Sequence, residues 1–203
     1  RTLIVPSSFS GNTEEILSAY AAARSRSLPL VGIAAGGMLE QRCRADGVPC
    51  IRIPADPPSM QPRSATGYTV AILVQLLATL GLAADGAIEA IEGLSERLHA
   101  FMETARARGE ELAADLRGVT PVIYASDRFA TVARIWKIKM NENAKTPAFW
   151  NVFPELNHNE MIGWTKPQGT FRLLFLRDHD DHPRILKRFD STQALLQQKG
   201  IAA

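Results

Sequence analysis

Residues 2–17 read TLIVPSSFSGNTEEIL, an apolar run followed by a polar turn and then by helix-forming residues. The apolar run predicts a short buried strand, and the spacing of the later apolar residues predicts a helix over 12–25. We predict that this alternation continues, with strands over 30–35 and 48–53 and helices over 38–45 and 66–80. Strands separated by helical segments are typical of βαβ units and therefore of a parallel sheet.

After residue 84 the pattern changes and then repeats. Apolar residues three or four positions apart predict an amphipathic helix over 85–116, with a break near Gly109. Beyond it, strands are predicted over 120–125, 147–152 and 170–176, and helices over 127–139, 155–162 and 183–199. We therefore predict an α/β protein made of two three-layer αβα sandwiches with parallel sheets. The predicted parts are a first domain at 1–83, a linking helix at 84–118 and a second domain at 119–203.

Both predicted sheets are small. Each half of the chain has three convincing strands, whereas a sheet usually has about four to six. The sequence also begins with Arg1 and runs directly into a strand. We therefore expect the first domain to lack its amino-terminal part and the second to lack its carboxyl-terminal part.

The composition excludes several classes of protein. The 203 residues are 46% apolar and 22% charged with a formal charge of +2, and no Lys/Arg run is present, so nucleic acid is not an expected partner. The most apolar stretch, 70–84, is too short to span a bilayer, so no membrane partner is expected. Two cysteines, Cys43 and Cys50, suit packed positions in a reducing compartment, and we expect a cytoplasmic protein.

The polar turn at 7–15 is the first candidate site. Its hydroxyls and free backbone N–H groups would meet at the carboxyl end of a parallel strand, beside a helix N-terminus, which suits a phosphate. The alternative is a capping box, with Asn12 as the N-cap and Glu15 three residues later. The residue types alone leave both interpretations open.

Arg63 is the second candidate. It lies in PRSATGY, residues 62–68, at the entry to the apolar helix. An arginine at such a strand-to-helix transition can stabilise a developing oxyanion. The alternative is a solvated loop residue.

The third candidate comprises NENAK at 141–145 and PELNHNE at 154–160. Glu142 and His158 lie in successive loops or helix ends, and a carboxylate base with an imidazole acid suits proton transfer on a sugar. The alternative is a helix-terminal glutamate and a capped histidine.

A fourth cluster, DHDDH at 178–182, has metal-ligating residue types. It directly precedes Pro183, a favoured first residue of a helix, and its carboxylates suit a helix N-terminus. We therefore interpret it as a solvated loop and expect no metal site.

Taken together, the first and third motifs resemble a known family. Residues 8–15, SFSGNTEE, resemble the phosphate loop of sugar isomerase (SIS) domains. NENAK and residues 154–164, PELNHNEMIGW, resemble the more specific signature of the bifunctional phosphoglucose/phosphomannose isomerases. The resemblance implies two SIS domains and an aldose–ketose isomerase that interconverts glucose 6-phosphate or mannose 6-phosphate with fructose 6-phosphate through a cis-enediolate.

The resemblance also implies a role for each motif residue. The hydroxyls of the serine loop would hold the substrate phosphate, namely those of Ser8, Ser10 and Thr13. Arg63 would stabilise the enediolate, and Glu142 would move the proton between C1 and C2. His158 would assist ring opening in the active site of a dimer mate. No cofactor or metal is implied.

Two departures and two competing functions accompany this resemblance. Family members carry a Gly-Ser loop upstream of the serine loop and a C-terminal lysine, and neither matches a residue here.

A non-catalytic sugar-phosphate sensor built on SIS domains would need the serine loop but neither Glu142 nor His158. An amino-sugar isomerase of the same fold would lack the paired motifs. The preference between glucose and mannose and the oligomer size stay open.

Overall fold

The computed structural model describes residues 2–57 and 59–202. Contacts divide the chain into two compact units, Arg1–Phe101 and Met102–Ala203. Each contains one parallel sheet. The division into a first domain, a linking helix and a second domain stays a prediction.

The first unit alternates short strands with helices. Its elements are β1 (Ser7–Ser8), α1 (Glu14–Ser25), β2 (Gly32–Ala34), α2 (Gly37–Ala45), β3 (Cys50–Arg52), a 3-10 turn (Pro62–Ser64), α3 (Thr66–Thr79) and α4 (Ala87–Glu92). The sheet has the order β1-β2-β3, and both pairs are parallel. The first strand is displaced from its predicted position, because Ile4 makes only an isolated bridge to Leu30 and the regular pairing begins at Ser7.

Helices cover both faces of this sheet. Successive side chains of a strand point to opposite faces, so Ala34 packs in a cluster with Tyr20 of α1 and Leu39 of α2. The preceding residue, Ile33, packs in a separate cluster that reaches α3. The first unit is therefore a three-layer sandwich.

The second unit repeats the layout with a different strand order. Its elements are α5 (Leu94–Asp115), which begins in the first unit, β4 (Thr120–Ser126), a 3-10 turn (Asp127–Phe129), α6 (Ala130–Glu142), β5 (Phe149–Phe153), a 3-10 turn (Glu155–Asn157), α7 (Glu160–Gly163), β6 (Phe171–Leu176) and α8 (Pro183–Gln198). The order is β5-β4-β6, again all parallel, so the first strand is central here and at an edge in the first unit.

The amphipathic segment at 85–116 contradicts one detail of the prediction. α5 continues through Gly109, and the interruption lies at Gly93 between α4 and α5. A single glycine inside a long helix costs only about 1 kcal/mol relative to alanine, which the rest of the helix can absorb. The predicted break near Gly109 is therefore wrong.

Alternation along β4 again produces two cores. Tyr124 packs with Phe189 of α8 on one face, and Ile123 packs with Ala133 of α6 on the other. The predicted α/β class with parallel sheets is confirmed. Among the described helices, none combines the length and apolar character that a bilayer crossing requires.

Candidate functional site

Hydrogen bonds within the serine loop hold its hydroxyl groups in place. Ser8 is buried, with 6% of its surface exposed. Its Oγ accepts a hydrogen bond from Gly11 N (3.1 Å) and shares one with Thr13 Oγ1 (2.8 Å). Ser10 and Thr13 are exposed. Two of the three predicted phosphate ligands therefore face solvent, and the third orients one of them.

Two glycines let the turn after β2 approach the serine loop closely. Gly11 (φ 68°) and Gly37 (φ 73°) both adopt left-handed backbone. A Cβ on Gly11 would overlap the carbonyl group of Gly36, and one on Gly37 would overlap the carbonyl oxygen of Ser10. The loop is therefore fixed by backbone contacts that side chains at these positions would prevent.

Helix α1 presents free N–H groups to this loop. Thr13 is its N-cap, and the first helical hydrogen bond runs from Leu17 N to the Thr13 carbonyl oxygen (3.0 Å). The N–H groups of residues 14–16 thus lack intrahelical acceptors and can bind an anion. Glu14 and Glu15 lie in the same turn, and their negative charges would repel a phosphate. Hydrogen bonds from the neighbouring hydroxyls are therefore needed for a phosphate to bind there.

The capping-box alternative for this turn is wrong. Asn12 lies one residue before the N-cap, and its Oδ1 accepts a hydrogen bond from Met38 N (3.0 Å) in the first turn of α2. Because Asn12 connects the loop to a different helix, it contributes to the rigidity of the loop and does not cap α1.

Arg63 lies at the same edge of the first sheet as the serine loop. It is half-buried in the 3-10 turn that precedes α3. The adjacent Ala65 is 2% exposed and belongs to the apolar cluster of Ile33, against which Phe9 of the serine loop also packs. In a parallel sheet, the segments that follow β1 and β3 leave from one edge, which is where ligands bind in open α/β folds.

Glu142 ends α6, and its turn is fixed by its neighbours. Asn141 Oδ1 accepts a hydrogen bond from Ala148 N (3.1 Å), and Lys145 Nζ donates to the backbone carbonyl of Glu142 (2.7 Å). The Glu142 side chain is exposed and makes no hydrogen bond or ion pair with any described residue. A carboxylate at the carboxyl end of a helix is unfavourably placed in the helix dipole. Such a carboxylate is well suited to act as a base.

His158 follows the 3-10 turn after β5. Its backbone N–H donates to the Glu155 carbonyl (2.9 Å), and its exposed imidazole has no hydrogen-bond partner among the described residues. The ring is therefore available to an external group.

A polar network anchors the segment that carries His158. The buried Tyr124 hydroxyl donates to Glu160 Oε2 (2.6 Å), Asn151 Nδ2 donates to Glu160 Oε1 (2.6 Å), and Trp164 Nε1 donates to the tyrosine oxygen (2.8 Å). Burial, followed by the hydrogen bond to Glu160, raises the pKa of Tyr124 well above its usual range. Sequence reasoning missed this network. The sequence feature that could have revealed the network is a polar side chain inside each of two predicted buried strands.

Glu142 and His158 lie at opposite ends of the strands of the second sheet, Glu142 at the amino-terminal end and His158 at the carboxyl-terminal end. Phe149 begins β5 and pairs with Val122 near the start of β4, whereas Phe153 ends β5 beside Ser126. Glu142 precedes this strand and His158 follows it, and five residues of strand span about 16 Å. The chain therefore does not bring its own Glu142 and His158 together.

The acidic turn after β6 is more buried than predicted. Asp178 and Asp181 are each 7% exposed, and Asp181 Oδ2 accepts a hydrogen bond from Asp178 N (3.3 Å). Arg128 pairs with Asp178 (3.1 Å) and with Asp180 (3.7 Å). The solvated-loop interpretation is thus wrong for two of the five residues of the cluster, Asp178 and Asp181. Its carboxylates cap the turn and neutralise Arg128, which favours a structural role.

The two cysteines occupy packed positions in the first unit. Cys43 is buried in the cluster of Tyr20 and Leu39, and Cys50 is half-buried against it. Burial raises the pKa of Cys43 to about 11, and burial also raises the pKa of Cys50. Both thiols are therefore protonated near neutral pH, as packing residues would be.

Comparisons with known proteins agree with these motifs. Residues 105–203 match the family model of the bacterial phospho-glucose isomerase C-terminal SIS domain. Over 213 aligned residues the chain is 36% identical to the bifunctional phosphoglucose/phosphomannose isomerase of Caldicellulosiruptor bescii, covering 100% of this chain and 61% of that protein. It is 35% identical to the protein of the same name from Aquifex aeolicus, covering 96% of this chain and 58% of that one. The chain is similar to these bifunctional phosphoglucose/phosphomannose isomerases over nearly its whole length, and it spans about three fifths of theirs.

The fold has solved counterparts. The glucosamine-6-phosphate deaminase of Thermotoga maritima superposes on 100% of this chain and 59% of its own, with a TM-score of 0.70 at 17% identity. At that identity the likeness shows the fold alone, and the fold is the α/β architecture with parallel sheets predicted from the sequence.

Proposed function

We propose that the protein is a cytoplasmic aldose–ketose isomerase that interconverts glucose 6-phosphate and mannose 6-phosphate with fructose 6-phosphate. The observation that carries the proposal is the carboxylate of Glu142, which lies at the unfavourable end of α6 and makes no hydrogen bond or ion pair within 2–57 and 59–202. The identity with relatives named for these two reactions supports the choice of substrates.

In the proposed reaction, Glu142 takes the proton from C2 of the open-chain aldose. The electrons of the C–H bond form the C1–C2 double bond, and the carbonyl oxygen becomes the enediolate oxyanion. Return of the proton to C1, with transfer of the O2 proton to O1, gives the ketose. Glucose and mannose 6-phosphates are epimers at C2 and share this enediolate, so a single base can serve both. A positioned base contributes about 10²–10⁴-fold.

The remaining proposed site residues bind the substrate phosphate and stabilise the enediolate. Ser10, Thr13 and the N–H groups of α1 hold the phosphate, with Ser8 orienting the Thr13 hydroxyl. Because the phosphate is remote from C1 and C2, its binding orients the sugar and adds no chemical step. Arg63 lies near the enediolate oxygen, where one donor of this kind contributes roughly 2.7–4 kcal/mol.

We propose that His158 opens the sugar ring in the active site of a second subunit of a homodimer. The placement of Glu142 and His158 at opposite ends of the strands of one sheet supports this division. In a two-fold dimer each subunit can supply one residue to the other's site.

The test is exchange of the C2 proton of both aldose 6-phosphates with deuterated water, together with a coupled assay for fructose 6-phosphate. Both are run on the 203-residue chain. Exchange at C2 with either aldose supports the isomerase. Tight phosphate binding without exchange contradicts it and supports the non-catalytic sensor.

Mixing two inactive variants tests the role of His158. Co-expressed Glu142→Gln and His158→Ala subunits form heterodimers with one intact site, which restores about a quarter of wild-type activity for random pairing. Recovery near zero, with heterodimers present, would place both residues in one subunit's site. Full activity of His158→Ala alone would remove His158 from the reaction.

A further inference from the structure

Helix α8 carries cations beside a groove in the second unit. The groove has a volume of about 430 Å³, and its polar lining consists of Asn157, Arg184, Lys187, Arg188, Ser191 and Thr192. Among the described residues, no carboxylate lies within ion-pair distance of its three cations, and the nearby Asp190 pairs instead with Arg177 (2.7 Å). The groove therefore has three uncompensated positive charges.

These charges lie where they destabilise the helix. α8 begins at Pro183 and is capped by His182 Nδ1, which accepts a hydrogen bond from Arg184 N (3.1 Å). Its first turn has no acidic residue, so the Arg184 side chain adds positive charge at the positive end of the helix dipole. Lys187 and Arg188 follow Arg184 by three and four positions, so each lies next to Arg184 on the helix surface, where like charges repel. A bound anion would relieve both effects.

The floor of the groove is already ordered. Arg188 Nη1 donates to Asn157 Oδ1 (3.2 Å), and Asn157 Nδ2 donates to Thr192 Oγ1 (2.9 Å). Arg184 and Lys187 are exposed at its rim. Guanidinium groups match the geometry of phosphate oxygens, and the volume is in the range of small-ligand pockets.

We propose that this groove binds the phosphoryl group of a small molecule, at a site separate from the serine loop. Asn157 directly precedes His158, so an occupant that contacts Arg188 is linked through Asn157 to the segment that carries the histidine.

The test is an NMR titration of the 203-residue chain with inorganic phosphate and, separately, with fructose 6-phosphate at constant ionic strength. We expect saturable shifts of the Asn157 side-chain amide and of the Ser191 and Thr192 backbone amides, with Kd below about 1 mM, the upper end of ordinary substrate constants. A response to both ligands shows that the phosphoryl group suffices, and a response to the sugar phosphate alone shows that the ester is required. Absent or non-saturating shifts overturn the proposal. Residues 8–13 report on the serine loop separately, so the two proposals fail independently.

A double variant tests whether the positive charges of α8 form the binding site. Arg184→Gln/Lys187→Gln should abolish the saturable shifts and raise the Tm without ligand, since repulsion is removed. The matched control, Arg106→Gln/Arg108→Gln on exposed positions of α5, removes equal charge and should leave the titration unchanged. Wild-type binding by the first variant, or equal loss in the control, would refute a site at α8.

Discussion

The serine loop and the Glu142 turn differ in how their polar groups are used. In the serine loop, Ser8 bonds to Thr13 and Gly11, and the loop backbone is fixed against the turn after β2. At the Glu142 turn, the neighbouring Asn141 and Lys145 make the local hydrogen bonds, and the carboxylate makes none with the part of the chain that the structure describes. A binding group gains from being oriented in advance, whereas a base must keep its lone pair free.

Glu142→Gln is expected to have the largest effect, because it removes the free lone pair and keeps the shape. Isomerisation and C2 exchange should fall about 10²–10⁴-fold, with little change in phosphate binding. Kinetics with both aldose 6-phosphates measure this. Glu103→Gln, on an exposed position of α5, is the control and should be neutral. Retained C2 exchange in Glu142→Gln would remove the residue from the role of base.

Gly11→Ala tests the fixed loop, with Gly47→Ala as its matched control. Both glycines are left-handed, at φ 68° and 65°. A left-handed alanine costs about 1–2 kcal/mol at either position. A Cβ meets the Gly36 carbonyl at Gly11 and open space at Gly47, so Gly11→Ala should destabilise more and weaken phosphate binding. Denaturant unfolding with and without phosphate compares them, and equal losses would mean that the contact with Gly36 does not hold the loop.

Tyr124→Phe tests the anchor of the His158 segment. It removes the donor to Glu160 and the acceptor of Trp164. Both partners are half-buried, and Glu160 keeps its hydrogen bond from Asn151. Losing the two hydrogen bonds is expected to cost about 1–3 kcal/mol. In Tyr20→Phe the lost acceptors are the Arg42 carbonyl (3.3 Å) and Asp46 (2.7 Å). The Asp46 side chain is 37% exposed and can regain water, so the loss of unfolding free energy should be smaller. A larger loss for Tyr20→Phe would reverse this ranking.

Unfolding at alkaline pH provides a second comparison of Tyr124 and Tyr20. Burial raises the pKa of both tyrosines above the ordinary value of 10.0. The unfolded chain therefore releases these protons first, and stability falls as the pH rises above about 10. Each Phe variant should weaken that fall in urea unfolding measured across this range.

The sequence predicted the sheets better than the contacts at their edges. Helix and strand periods located the elements, and β4 to α6 differ from expectation by only a few residues. The first strand was misplaced because Ser7 and Ser8 are polar yet pair with β2. Backbone pairing there depends on the neighbouring strand, which periodicity does not report.

The candidate site was predictable in its residues and not in its geometry. The Glu160 network depends on contacts between residues far apart in sequence, such as Tyr124 and Glu160. Asn12 shows the same limit: a local pattern predicted a cap, and a backbone N–H of α2 bonds to its side chain instead.

The smallest expected effect is on stability, again with Glu142→Gln. The carboxylate opposes the helix dipole and has no ion-pair partner among the residues that the structure describes. Removing its charge should therefore stabilise the protein by about 0.3–1 kcal/mol at low salt. Glu103→Gln lies in mid-helix and should change little. Added salt should shrink the gain, since screening weakens exposed charges. Urea unfolding at two ionic strengths measures it. If Glu142→Gln gains stability while it loses activity, the Glu142 carboxylate is placed for the reaction and not for stability. A loss of stability would mean instead that Glu142 makes a stabilising contact. The contrast with the serine loop would then fail.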